Sequence, residues 1–189
     1  MRKLRPFYTP DELKAMYGAT YDPNRWPEHT LRLERTRQIA QDLIYEHDLR
    51  NVADYSCGDG TLIRGLKMFN DAGYEATDVG KGDPPIEEMV LTMPFTDLFI
   101  CTETIEHLEA PWTVLEWVAR RARYIVLSTP LDESPDIGNY EHYWSFTEWD
   151  VATILAQSGF SEDQKFEALT KAAWTYTYQI WTARSKFFA

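Results

Sequence analysis

Asn51-Val52-Ala53-Asp54-Tyr55-Ser56-Cys57-Gly58-Asp59-Gly60 decides the reading of this chain. Its first residues predict a short strand over Asn51–Ser56, and the glycines predict a tight turn into a helix over Thr61–Asn70, with Leu62, Leu66 and Phe69 on one side. Gly58 and Gly60 carry no Cβ, so the backbone there bends sharply and approaches a ligand closely. The helix beyond is expected to aim its free N–H groups at that ligand. Asp54, at the strand end, is placed to accept a hydrogen bond from a ligand amino group.

The next predicted strand, Tyr74–Val79, carries Asp78, at about the interval of twenty residues at which an acid meets both hydroxyls of a ribose. A dinucleotide fits poorly. The G-x-G-x-x-G fingerprint requires a third glycine where this chain has Ile63, and a pyrophosphate would face Asp54 and Asp59. The acids suit a positively charged nucleoside without phosphate. S-adenosylmethionine (SAM), with a sulfonium and an ammonium, is such a ligand.

Outward from this unit, strands alternate with helices. Thr9-Pro10-Asp11-Glu12 reads as a capped start of a short helix to Tyr17. Gly18 to Pro27 is turn-rich, and a longer helix over Glu28–His47 shows a stripe of Ala40, Leu43, Ile44 and His47. After a loop from Gly80 to Pro85, Asp97–Thr102 is a nearly continuous apolar strand, as expected when both faces are covered. A helix over Pro111–Ala122, a strand over Tyr124–Ser128 and a loop over Thr129–Phe146 follow. Thr147 and Asp150 frame a capping box for a helix to Ser158, which Gly159 ends. Strands over Phe166–Leu169 and Thr175–Ala183 have no helical pattern between them, so a hairpin there sets one strand antiparallel. The expected architecture is α/β: a three-layer sandwich around a mostly parallel sheet, with residues 1–50 as a helical cap on the acceptor side and 51–189 as the ligand-binding unit.

Bulk properties narrow the function. The chain has 189 residues, enough for one substantial core, and a formal charge of −11. Nucleic-acid binders present basic faces, so the balance argues against DNA or RNA as partner. The best candidate for a local basic patch, Arg25 to Arg37 with Arg25, Arg32, Arg35 and Arg37, reads as a solvated helix face. Two cysteines give no disulfide framework, and the N-terminus has no apolar run behind its basic residues. A reduced, cytoplasmic setting and no membrane association are expected.

The segment from Val52 to the C-terminus resembles the class I, Rossmann-like SAM-dependent methyltransferases. Their strand–glycine loop reads acid-x-G-x-G-x-G; here Asp54 is followed by Ser56 in place of the first glycine, then Gly58 and Gly60. Asp97 to Leu108 (DLFICTETIEHL) is similar to the family's next strand and its "EvlEHl" segment. Tyr124 to Pro130 and His142 to Thr147 are similar to the following strand and to an "H…FT" segment. The resemblance implies a SAM cofactor, with Asp54, Ser56, Cys57, Gly58 and Gly60 around its methionine end and Asp78 on the ribose. It implies further contacts from Thr102 and Glu103. Glu88 is the expected adenine-contacting acid, with Asp83 and Glu87 as alternatives. Between Asp78 and Asp97 there is little room for the family's third strand and its preceding helix, so these are expected to be short or missing.

The implied reaction is methyl transfer to an acceptor, expected to be a small molecule. His107 and His142 are the candidate general bases. The reading favours no metal. Its alternative is a divalent-ion site of Glu103, Glu106, His107 and His142, because Glu-x-x-Glu-His with a later His resembles the metal site of small-RNA 3′-end methyltransferases. A non-catalytic SAM-binding subunit is the other alternative. Trp26 and His29 are candidates to lie near the cofactor, Arg25 or Arg32 to pair with its carboxylate, and Tyr140, His142, Tyr143 and Trp144 to form an aromatic acceptor wall.

Overall fold

A computed structural model describes residues 1–17, 28–69, 72–78, 81–137, 139–161, 164–171 and 174–188. The turn-rich segment 18–27, with Arg25 and Trp26, lies outside the described residues. In chain order the elements are β1 (Arg2–Lys3), α1 (Pro10–Tyr17), α2 (His29–His47), β2 (Asn51–Asp54), α3 (Thr61–Arg64), β3 (Gly73–Ala76), α4 (Ile86–Thr92), β4 (Thr96–Thr102), α5 (Pro111–Arg121), β5 (Ala122–Pro130), β6 (Trp144–Ser145), α6 (Glu148–Ser158), β7 (Lys165–Leu169) and β8 (Tyr178–Arg184).

Six strands form one sheet in the order β3-β2-β4-β5-β8-β7. β2 pairs in parallel with β3 and β4, and β4 with β5. β8 runs antiparallel to both β5 and β7, which gives the hairpin expected from the helix-free C-terminal stretch. β1 and β6 make a separate antiparallel pair.

The pleat of β4 shows why its sequence is apolar throughout. Leu98 and Ile100 face Ala40, Leu43 and Ile44 of α2 and Leu62 and Ile63 of α3. Phe99 and Cys101, one residue out of phase, face a second core of Ile86 and Val90 from α4, Val114, Leu115 and Val118 from α5, and Val151 and Leu155 from α6. Side chains alternate across a strand, so a strand with helices on both faces needs an apolar residue at every position. Each buried Leu, Ile or Phe adds about 1.5–3 kcal/mol of burial.

Two elements, α3 and β3, end earlier than the sequence expectation. α3 stops at Arg64 rather than Asn70. Gly65 follows at a crowded point, where a Cβ would lie 2.9 Å from Arg37 Cδ and 3.1 Å from the Thr61 carbonyl oxygen. β3 ends at Ala76, and Thr77 and Asp78 beyond it bond Asp54, Cys57 and Gly58 across the neighbouring strand end. Between Asp78 and Thr96 the described residues hold α4 and no strand, so β3 is the edge of the sheet.

The layout positions a site. The chain steps from β2 outward to β3, then returns to lay β4 on the other side of β2. The strand order reverses between β2 and β4, and in open α/β sheets ligands bind outside the carboxyl ends of the strands at such a point. Asp54 ends β2 and Thr102 ends β4.

Candidate active site

The turn after β2 is held by its own acids. Gly58 has φ +54° and Gly60 φ +82°, the left-handed region that a residue with a Cβ enters only under strain. Gly58 N donates to Asp78 Oδ2 at 2.8 Å. Cys57 N donates to the Thr77 carbonyl and Thr77 N to the Asp54 carbonyl. The ends of β2 and β3 are thereby laced together, and Asp78 lies close enough for its charge to act on Asp54. The free helix N–H groups expected after the turn are a different matter. α3 has four residues, and Thr61 N is already bonded to Asp59 Oδ1.

Asp54 is buried, with its Oδ1 accepting from Ser56 N at 3.0 Å and its Oδ2 without a hydrogen-bond partner. Burial pushes its carboxyl up to about 7, and the Asp78 charge adds to the rise. Ser56 bridges to the next strand by accepting from Thr104 Oγ1 at 2.7 Å. Cys57 is buried, and Lys81 Nζ lies 3.3 Å from its sulfur. Burial also raises the Cys57 thiol, with the Asp54 charge adding to it.

The remaining expected contacts fall in different places. Thr102 closes β4 in a half-buried position. Glu103 follows in the left-handed region, φ +50°, where its side chain bonds Ser128 Oγ at 2.8 Å and Arg32 Nη1 at 2.7 Å. Glu88 and Glu87 occupy the first turn of α4, and Glu88 is exposed there. Asp83 is the acid of that stretch that touches the Asp78 backbone, accepting from its N–H at 2.9 Å.

Arg32 is buried and tied to Glu103 and to His29 Nδ1. Arg35 pairs with Glu167 and Arg37 with Glu34. The basic stretch read from the sequence is thus neutralised residue by residue, at its described positions.

Beyond the end of β4 lies a second polar cluster. Glu106, His107 and His142 each offer a ligand atom within 4.8 Å of the others. Glu106 is fully buried; its Oε2 accepts from Thr129 Oγ1 at 2.9 Å and its Oε1 has no partner. Burial raises its carboxyl. His107 Nδ1 donates to the Glu141 carbonyl at 3.0 Å, and burial lowers its imidazole. Asn139 is fixed by the Glu141 N–H at its Oδ1, so its amide nitrogen donates to His142 Nε2 at 3.0 Å. His142 Nδ1 then carries the proton and donates to Glu133. Burial drives His142 down to about 3 and Glu133 up to about 7. Both nitrogens of His142 are therefore occupied by protein groups.

The aromatic wall is partly occupied too. Tyr143 is buried under the N-terminal residues: Leu4 N donates to its carbonyl and Tyr8 N to its hydroxyl. Tyr140 is exposed. Several neighbours had no signal in the sequence. Glu28 sits at the start of α2, Glu133 in a turn-rich loop, and Tyr176 and Tyr178 at a strand start read only as strand. Lys81 stands alone in a loop. What joins them is tertiary: all but Lys81 are buried together around Glu106.

No protein-family model and no curated protein matches the chain. Solved structures do. The N-methyltransferase NodS from Bradyrhizobium japonicum, in complex with S-adenosylhomocysteine (SAH), is 14% identical with a TM-score of 0.66 over 93% of this chain and 97% of that one. The plantazolicin methyltransferase BamL, in complex with SAH and a triazolic desmethylPZN analogue, is 12% identical with a TM-score of 0.62 over 94% and 92%. The methyltransferase domain of bacterial CtHen1 is 17% identical with a TM-score of 0.58 over 82% and 99%. The chain has the class I, Rossmann-like methyltransferase fold.

Proposed function

We propose that this chain binds SAM at the carboxyl ends of β2 and β3 and transfers its methyl group to a small-molecule acceptor. One observation carries the reading: the buried Asp54, with an unpartnered Oδ2, is set beside Asp78 around a turn of two left-handed glycines. A buried carboxylate oxygen without a donor costs about 1–3 kcal/mol or more, and a ligand ammonium supplies that donor. Asp78 is the group for the ribose hydroxyls. The cationic centres of SAM suit this acidic turn, and a pyrophosphate does not. The neighbours in complex with SAH support the same reading.

Methyl transfer is an in-line displacement at a sulfonium carbon. The protein's work is to hold donor and acceptor in line and to keep water out. The cluster around Glu106 follows two residues after Thr104, whose hydroxyl bonds Ser56 at 2.7 Å, and Ser56 in turn bonds Asp54. It is the part of the site that faces an acceptor.

A second reading, metal-assisted methylation of a nucleotide end, is favoured by the closeness of Glu106, His107 and His142. Their donor set suits a divalent ion, and the orphan Glu106 Oε1 fits a ligand role. Such an ion would bind and polarise the hydroxyls of a terminal ribose. Two features favour the small-molecule reading instead. Glu103, the fourth residue of the set, is held by Arg32, and His142 Nε2 is held by Asn139.

Thermal shift with SAM, SAH and NAD tests the proposal. SAM and SAH are expected to raise the Tm and NAD to leave it unchanged. Stabilisation by NAD alone would overturn it.

A further inference from the structure

Two buried carboxylates outside the glycine turn each keep one oxygen that no hydrogen-bond donor reaches. Glu28 and Glu106 are both fully buried. Each has one oxygen bonded to a hydroxyl: Glu28 Oε1 accepts from Tyr178 at 3.4 Å, and Glu106 Oε2 accepts from Thr129 at 2.9 Å. Each has its other oxygen, Glu28 Oε2 and Glu106 Oε1, out of water and without a partner. Tyr178, which bonds Glu28, has its ring 5.8 Å from that of Tyr176; the Tyr176 ring lies 5.8 Å from His142, whose ring nitrogen is within 4.8 Å of the Glu106 carboxylate. Arg32 stacks over the Tyr178 ring at 5.0 Å, but its charge is already closed on Glu103 at 2.7 Å.

We propose that the methyl acceptor is an amine, received as its ammonium between Glu28 and Glu106 beside Tyr176 and Tyr178. This rests on the methyl-transfer reading. An ammonium is donor-only, which is the chemistry an orphan carboxylate oxygen lacks, and it neutralises buried charge. An alcohol brings one hydrogen for two oxygens, together with lone pairs that need donors. A carboxylate is repelled. Neighbouring phenol rings also favour a cation over a neutral group.

The step balances. The bound ammonium passes one N–H proton to the Glu28 carboxylate. The freed nitrogen lone pair forms the N–C bond as the C–S bond breaks. The sulfonium leaves as a neutral thioether, and the product departs as a methylated ammonium, with Glu28 returning its proton to solvent.

Thermal shift with the whole chain tests this without knowledge of the acceptor. Butylamine, butanol and butyrate are compared at equal concentration and ionic strength, with SAH present, in wild type and in Glu28→Gln and Glu106→Gln. Butylamine is expected to raise the Tm in a dose-dependent way, and the other two are not. Both variants are expected to keep the SAH shift and to bind butylamine about tenfold more weakly or worse. The proposal is overturned if butylamine gives no shift, if butanol or butyrate matches it, or if the amine shift survives in both variants. It is also overturned if magnesium chloride stabilises where butylamine does not. An amine shift without any SAH shift would leave the amine site standing and sink the methyl-transfer reading instead.

Discussion

The carboxylate of Asp78 accepts a hydrogen bond from the backbone N–H of Gly58 at 2.8 Å. An acid beyond one strand is thereby locked to the turn after its neighbour, and the two ends of the proposed nucleoside site are built as one unit. The turn needs glycine for its left-handed φ of +54°, and the acid holds that turn in place.

Asp54 makes that unit sensitive to pH. Its carboxyl sits at about 7 in the fold, against about 3.9 in an unfolded chain. Over that interval the folded state keeps a proton that the unfolded state has lost, so this group's contribution to stability is lost as pH rises from about 4 through about 7. Asp54→Asn is expected to be more stable than wild type at pH 8 in urea unfolding, with a flatter pH profile. A SAM ammonium favours the ionised form, so wild-type affinity should climb from about pH 6 to about pH 8 with proton release, read by calorimetry in two buffers. A flat affinity across that range would count against the role of Asp54.

Arg32 and Glu103 form a largely buried pair at 2.7 Å. Removing one partner leaves the other charge stranded. Arg32→Leu is expected to cost about 3–5 kcal/mol in urea unfolding, and Arg32→Leu with Glu103→Gln to recover part of it. Equal losses in the single and double variants would show that the pair is not coupled.

Thr147 and Asp150 form the capping box of α6, far in the chain from the acidic turn. Thr147→Ala should cost about 1 kcal/mol of stability and leave SAM affinity unchanged. Lost SAM binding in this folded variant would mean that α6 is coupled to the site in a way the architecture does not explain.

Chelation separates the two readings of the Glu106 cluster. Under the small-molecule reading, EDTA leaves turnover unchanged and the purified protein carries no stoichiometric divalent metal. Loss of turnover on chelation, restored by magnesium, would favour the nucleotide-end reading.

The fold was legible because its signals are local. The apolar run of β4, the glycine turn after β2, the box at Thr147 and the absence of a helix before β8 can each be read within about ten residues. The early stop of α3 was not, because the chain just beyond it is held by Gln41 of α2, which bonds both the carbonyl and the N–H of Lys67. For the site, Asp54, Gly58 and Asp78 come together where the pattern put them. Glu28, Glu133 and Tyr178 join the same end of the sheet from distant segments, and no spacing announces such a meeting. His142 shows the limit most clearly. Sequence marks it as a candidate base, but Asn139 and Glu133 decide what its two nitrogens do.

The account depends most on Asp78. Calorimetry of SAM with wild type, Asp78→Ala and His142→Ala tests it directly, with circular dichroism to confirm folding. Asp78→Ala is expected to weaken SAM by about tenfold or more, because the ribose contact and the Gly58 hydrogen bond go together, while His142→Ala changes it little. Unchanged SAM affinity in a folded Asp78→Ala protein would contradict the nucleoside site.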